Sequence, residues 1–210
     1  MFTCANCGIV SCEKEEKEVM PKNCPMKTKD YTEITKEYLT EQNKAIFVTA
    51  AKIESEGYCE WSRAREVVEF AKRMSYKKIG LAFCKGLKRE AKIFDTILRD
   101  HGFEVSSIVC KNGGISKEDF GIDDADKLHP GCFEPACNPI AQAIFLNEEK
   151  VDLNVVIGLC VGHDTLFYKY AESPVTTLIT KDRALAHNPA GALYCYESYY
   201  RKQLKAKKNK

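Results

Sequence analysis

The chain has 210 residues and a mass of 23.7 kDa, with 44% hydrophobic and 30% charged residues. That is the profile of one substantial globular domain with room for a small appendage, and it excludes global disorder. Lys and Arg number 32 against 30 Asp and Glu, a formal net charge of +2, which argues against a dedicated nucleic-acid binder. No apolar run approaches the roughly 20 residues that span a bilayer.

Cysteine is the outlying residue, with 11 in the chain. The opening residues, MFTCANCGIVSCEKEEKE, do not follow the secretory pattern of a basic region and then an apolar stretch. The expected compartment is therefore the cytoplasm, where thiols stay reduced. An odd count also fits a disulfide framework poorly. The thiols are accordingly candidate metal ligands or reactive groups.

Residues 1–31 hold Cys4, Cys7, Cys12 and Cys24 among two prolines and many charges, with little apolar periodicity. Such a segment cannot bury a core and needs a metal as organiser. A helical pattern follows from Thr32 to about Gly57, with Ile34, Tyr38, Leu39, Ile46 and Ile53 at three- and four-residue steps. A second helix is predicted from Ser62, as N-cap, to about Met74.

The character then changes. KKIGLAFC (77–84) reads as a buried strand, Lys88–Asp100 as a helix and FEVSSIVC (103–110) as the next strand. A glycine-rich, acidic loop runs from Asn112 to about Pro130. Asn138-Pro139 then opens a helix as N-cap and first-turn pair. DLNVVIGLC (152–160) is the third predicted strand, a helix follows from about Asp164 to Ala171, and VTTLIT (175–180) is the fourth strand. Strand and helix alternating at this spacing predict an α/β fold. The expected form is a Rossmann-like three-layer domain with a parallel sheet over 32–200, including an N-terminal helical pair. The cysteine-rich segment 1–31 precedes it, and residues 201–210 form a basic tail.

Two cysteine sets carry the chemistry. The first, C-x2-C-x4-C-x11-C, is Cys4, Cys7, Cys12 and Cys24. A C-x2-C pair converges two thiolates around a tight turn, and four such ligands suit tetrahedral zinc or one iron–sulfur cluster. The second set is more informative. Three predicted strands end in cysteine, at Cys84, Cys110 and Cys160. The carboxyl ends of parallel strands share one edge, where ligands bind. The loop carrying Cys132 and Cys137 leaves the same edge. Cys137 precedes a helix N-terminus, which favours its thiolate. His163 could face this edge and Asp164 could cap the next helix. Lys85, Lys181 and Arg183 bring positive charge there, and Asn188-Pro189 follows His187 as a second cap pair. Cys59 reads as structural and Cys195, among tyrosines, as packing.

No GxGxxG follows the first strand, where Cys84-Lys85-Gly86-Leu87 stands, and neither Walker A nor GxSxG occurs. A nucleotide cofactor is thus not supported.

Taken together, Cys84-Lys85-Gly86-Leu87, Cys137-Asn138-Pro139, the run Gly158-Leu159-Cys160-Val161-Gly162-His163-Asp164, Lys181-Asp182-Arg183 and His187-Asn188-Pro189 resemble the domain-of-unknown-function family 1847. Its members are often labelled "metal-binding protein". The resemblance implies metal binding and supplies no reaction.

Three readings follow. In the first, Cys84, Cys110, Cys132, Cys137 and Cys160 supply ligands to an iron–sulfur cluster, of the four-iron type, since soft thiolates suit it. The N-terminal set then holds zinc or a further cluster, and the role is redox, cluster delivery or substrate activation. The second reading is a sulfur transferase or reductase. Cys137 or Cys160 is then the nucleophile, His163 the base or orienter, and Lys181 or Lys85 the stabiliser of negative charge. Under these two readings the expected partner is a small anionic or sulfur-containing substrate, or a redox protein. The third reading is a zinc-knuckle interaction module.

Overall fold

In the computed structural model, residues 1–14 and 19–206 are described. The predicted stretch 15–18 of the cysteine-rich segment and 207–210 of the basic tail lie outside them. The chain forms two compact units, Met1–Ser55 and Glu56–Lys210.

In the first unit, single 3-10 turns at Cys4–Asn6 and Ser11–Glu13 precede the short helix α1 (Pro25–Thr28). The single helix expected over 32–57 is instead two, α2 (Thr32–Tyr38) and α3 (Glu41–Gly57). The break has a local cause. The Thr40 hydroxyl and the Asn43 amide both donate to the Glu37 carbonyl, at 3.0 and 2.9 Å. Side chains that bond nearby backbone compete with the helical ladder.

The second unit begins with α4 (Arg63–Arg73), whose Ser62 hydroxyl accepts the Arg65 amide as anticipated. Strand β1 (Lys78–Phe83) leads through a turn at Lys85–Leu87 into α5 (Lys88–Asp100) and β2 (Glu104–Val109). After a long loop come α6 (Pro139–Glu148), β3 (Leu153–Ile157), α7 (His163–Tyr170) and β4 (Val175–Ile179). Asn138 caps α6 by accepting the Ala141 amide at 3.1 Å. Short helices α8 (Ala190–Tyr194) and α9 (Arg201–Leu204) follow.

All four strands are parallel, in the order β2-β1-β3-β4. Alternation of side chains along a strand sorts the core into two faces. Ile79 and Leu81 of β1, with Leu153, Val155 and Ile157 of β3, pack against α4 and α5 through Val68, Ala71, Phe94 and Leu98. Ala82 and Val156 face the other way, onto Ala143 and Leu146 of α6 and Phe167 of α7. Helices thus cover both sheet faces, giving the three-layer α/β arrangement expected from the sequence. β2 lies on one side of β1 and β3 on the other. The order therefore reverses between β1 and β3, and the edge outside their carboxyl ends is where open α/β sheets of this kind bind ligands. No helix among the described residues is long and apolar enough to cross a membrane.

Two capping expectations are corrected. The N-cap of α7 is Gly162 at φ 87° rather than Asp164, whose carboxylate instead accepts the Thr165 amide. The N-cap position of α8 is Pro189, at φ −63° and ψ −21°, rather than Asn188, and no side-chain bond caps it.

Candidate thiol centre at the sheet edge

The carboxyl edge of the sheet collects the cysteines because the ladder ends there. Phe83, the last residue of β1, accepts the Cys110 amide at 2.8 Å, and the Cys84 amide donates to Ile157 of β3 at 3.1 Å. The next link is Asn138, whose amide donates to the Cys110 carbonyl at 2.7 Å, tying the residue after Cys137 to the end of β2. Beneath them Gln142, fully buried on α6, donates its amide to the carbonyls of Phe83 and Ile108 at 3.3 and 2.7 Å. Three strand ends and one helix start are thereby held in mutual register. A one-residue slip would turn these thiols away.

The Cys110 side chain is buried, and the thiols of Cys137 and Cys84 are the neighbours that act on it most strongly. The Lys85 amide points at it from 3.4 Å. Cys137 and Cys84, and then burial, hold the Cys110 thiol protonated far above the ordinary range. Cys84 moves the other way, from 9.0 down to about 4. The Cys110 thiol dominates, and the Gly86 amide and the Lys181 ammonium add to it against burial. Cys137 falls to about 5, again chiefly through Cys110, with help from Lys111 and His163. Cys110 has one S–H proton, so it serves one neighbour at a time. The trio therefore yields its first thiolate well below the usual thiol range.

Cys160 stands at the same edge, with the Arg183 guanidinium 3.0 Å from its sulfur. Arg183 is raised by Cys160 first, and also feels Cys84 and Cys137. The cations Lys111, Lys181 and Arg183 thus border sulfurs that come from three separate chain connections.

Gly158 makes the approach possible. It has φ +65°, and a Cβ there would stand 2.2 Å from the Leu87 side chain. Only glycine adopts that conformation without strain, and Leu87 closes the turn that carries Cys84 and Lys85.

The sequence placed Cys84, Cys110, Cys137, Cys160, His163 and Lys181 together, and the structure assembles all six at this edge. Cys132 is exposed in the loop, its carbonyl held by the buried Lys127 ammonium, and does not join the interacting thiols. Lys111 went unnoticed in sequence, although its place directly after Cys110 is the signal that could have found it. The loop itself is built on Lys127, which pairs with Glu118 at 2.6 Å and Asp124 at 2.7 Å. A second pair, Lys117–Glu134, lies at 2.6 Å, and an isolated bridge joins Ser116 to Pro135.

In the N-terminal unit the Cys7 amide donates to the Cys4 carbonyl at 3.0 Å. The Val10 and then the Ile9 amide bond the Cys7 sulfur and lower its thiol. The Asn23 amide donates to the Met1 carbonyl at 3.0 Å and the Thr3 hydroxyl at 2.9 Å, returning the chain beside Cys24 to the turn that carries Cys4. Cys4 and Cys12 are exposed, and Cys7 and Cys24 half-buried.

Two soft-donor sets are therefore present. Their chemistry fits a thiolate-bound metal or cluster. As the side chains stand, no group of three or more His, Cys, Asp or Glu among the described residues is placed to hold a metal ion. The sheet-edge cysteines are free thiols that act on one another electrostatically.

An α/β protein with a thiol-lined sheet edge is the class that fold and site define. The chain belongs to the family described as "Protein of unknown function (DUF1847)", which it matches over residues 23–178. That span holds Cys24 and the sheet-edge cysteines, but neither Cys4, Cys7 and Cys12 nor residues 181–189. The chain is also 50% identical, over 177 residues, to "Uncharacterized protein MJ0455" of Methanocaldococcus jannaschii, covering 84% of this chain and 89% of that protein.

Proposed function

We propose that this is a metal-binding protein whose sheet-edge cysteines Cys84, Cys110, Cys137 and Cys160 hold an iron–sulfur cluster. A second site, Cys4, Cys7, Cys12 and Cys24, takes zinc or a cluster. The observation that carries the reading is the meeting of four thiols from three chain connections at the carboxyl edge of a parallel sheet, beside three cations. Thiolates carry a negative charge that Lys111, Lys181 and Arg183 offset, and cations beside sulfur favour the ligating thiolate form. When bound by all four thiols the cluster would supply electron transfer; with three of them as ligands it would supply an open iron to a substrate. The chain's own residues would supply the pocket, the compensating charge and, at His163, a proton carrier beside Cys137. The role is redox, cluster delivery or substrate activation, in the cytoplasm.

The decisive experiment compares metal content in Cys84→Ser, Cys160→Ser and the parent chain, all purified without oxygen. Both variants are expected to lose the sheet-edge cofactor and keep the N-terminal metal. Full retention in both refutes the assignment.

A second reading is favoured by the lowered thiols. A sulfur transferase or reductase would use a thiolate of the trio directly, with Cys110 as the neighbouring proton holder. Cys137 is then the stronger of the two nucleophiles expected from sequence, because Cys110, Lys111 and His163 all favour its thiolate. A colourless protein that retains activity toward a sulfur donor would favour this reading.

A further inference from the structure

Beside the thiol-lined sheet edge, over the α5 side of β4, lies an open groove of about 460 Å³ lined by Leu87, Glu90, Leu178, Thr180, His187 and Pro189, among others. Its volume is that of a small-molecule site, and its lining is more polar than apolar. Two links join it to the thiols. Leu87 ends the turn that begins after Cys84, and Thr180 precedes Lys181, whose ammonium bonds the Cys84 sulfur.

The loop that forms one wall is built to present His187. Ala186 and His187 both have left-handed backbone, at φ 50° and 64°. Consecutive non-glycine residues there store strain, which persists only where surrounding bonds over-determine it. Those bonds are present. The Asp182 carboxylate accepts the Ala184 and Leu185 amides at 2.9 and 2.8 Å. The His187 amide donates to the Asp182 carbonyl at 2.9 Å, and the Asp182 amide donates to His187 Nδ1 at 3.1 Å. Nδ1 is therefore an acceptor, which leaves the proton of the neutral ring on Nε2. Glu90, exposed in the first turn of α5, also lines the groove and offers an acceptor with no ion pair among the described residues.

We infer that this groove binds a small zwitterion of the α-amino-acid class. Its ammonium pairs with Glu90, its carboxylate takes the His187 Nε2–H, and its side chain lies on Leu87, Leu178 and Pro189. Glu90 disfavours phosphate and purely anionic ligands, whereas a zwitterion satisfies both polar groups at once. Binding does not depend on what the cysteines hold; use of the ligand as a substrate rests on the reading above.

The test is calorimetric titration of the full anaerobic chain with L-cysteine, L-methionine and L-leucine, beside the variants Glu90→Gln and His187→Asn. Asparagine tolerates left-handed backbone, so the second variant keeps the loop. At least one amino acid should bind at millimolar concentration, and each substitution should weaken it about tenfold or more, with metal content unchanged. If none of the three binds, or if binding survives both substitutions, the inference is overturned. Binding by a chain that carries no metal would leave the groove standing and remove the cluster instead.

Discussion

The electrostatics of the sheet edge predict an inverted reactivity profile for Cys84 in protein stripped of metal. At pH 6 a thiol that titrates at 9.0 is about 0.1% thiolate, whereas one that titrates at about 4 is nearly all thiolate, about a thousandfold gain. Thiolate nucleophilicity falls with basicity, with a slope of roughly 0.4–0.5, which gives back about 100- to 300-fold. Cys84 should therefore react with iodoacetamide about 3- to 10-fold faster than a model-peptide thiol at pH 6, and about 100-fold slower near pH 9. Because Cys84 is half-buried, access lowers both arms equally and leaves the slope intact. Peptide mass spectrometry after timed alkylation from pH 5.5 to 8.5 would give a nearly flat rate for Cys84. The buried Cys110 should stay unlabelled. A Cys84 rate that rises tenfold per pH unit would show that Cys110, Gly86 and Lys181 do not favour its thiolate, and the reasoning would fail.

Gly158→Ala should destabilise the chain by about 2–5 kcal/mol, from left-handed strain of about 1–2 kcal/mol and overpacking of about 1–3 kcal/mol against Leu87; the shift in urea midpoint measures it. Lys127→Met should raise amide exchange across 116–134, because it leaves Glu118 and Asp124 without their shared cation. In the parent the same loop should loosen as pH falls from 4.5 toward about 2, since the Lys127 ammonium and the Ser116 hydroxyl hold Glu118 that low. A carboxylate lowered on folding stabilises above its unfolded value and loses that contribution below it. Loop exchange indifferent to both changes would refute the clamp. Cys7→Ser should remove the N-terminal metal while leaving visible absorption from the sheet edge unchanged.

Much of this was legible in the chain. The strand cores KIGLAF and LNVVI are apolar because both faces of a parallel sheet are covered, and Ser62 and Asn138 mark helix starts through their side-chain chemistry. Strand ends are local, so cysteines that terminate them share an edge whatever the strand order. That is why Cys84, Cys110 and Cys160 could be grouped without coordinates. What could not be read depends on tertiary reach. Arg183 is expected at this edge, but its pairing with Cys160, 23 positions away, is not, and the Gln142 clamp joins α6 to two strand ends. The same limit explains Cys132, which lies close in sequence to Cys137 but whose backbone is held elsewhere by Lys127. The break at Thr40 hid within an unbroken apolar period, because hydroxyl and amide bonds to a carbonyl leave no trace in hydrophobic spacing.

The cluster assignment is tested most directly by iron, acid-labile sulfide and zinc per chain after anaerobic purification, read with the visible spectrum. A four-iron cluster at the sheet edge predicts about four irons with matching sulfide, alongside about one zinc if the N-terminal set holds that metal. About one zinc with neither iron nor sulfide would contradict it, and would leave Cys84, Cys110, Cys137 and Cys160 as a set of thiols that work without a metal.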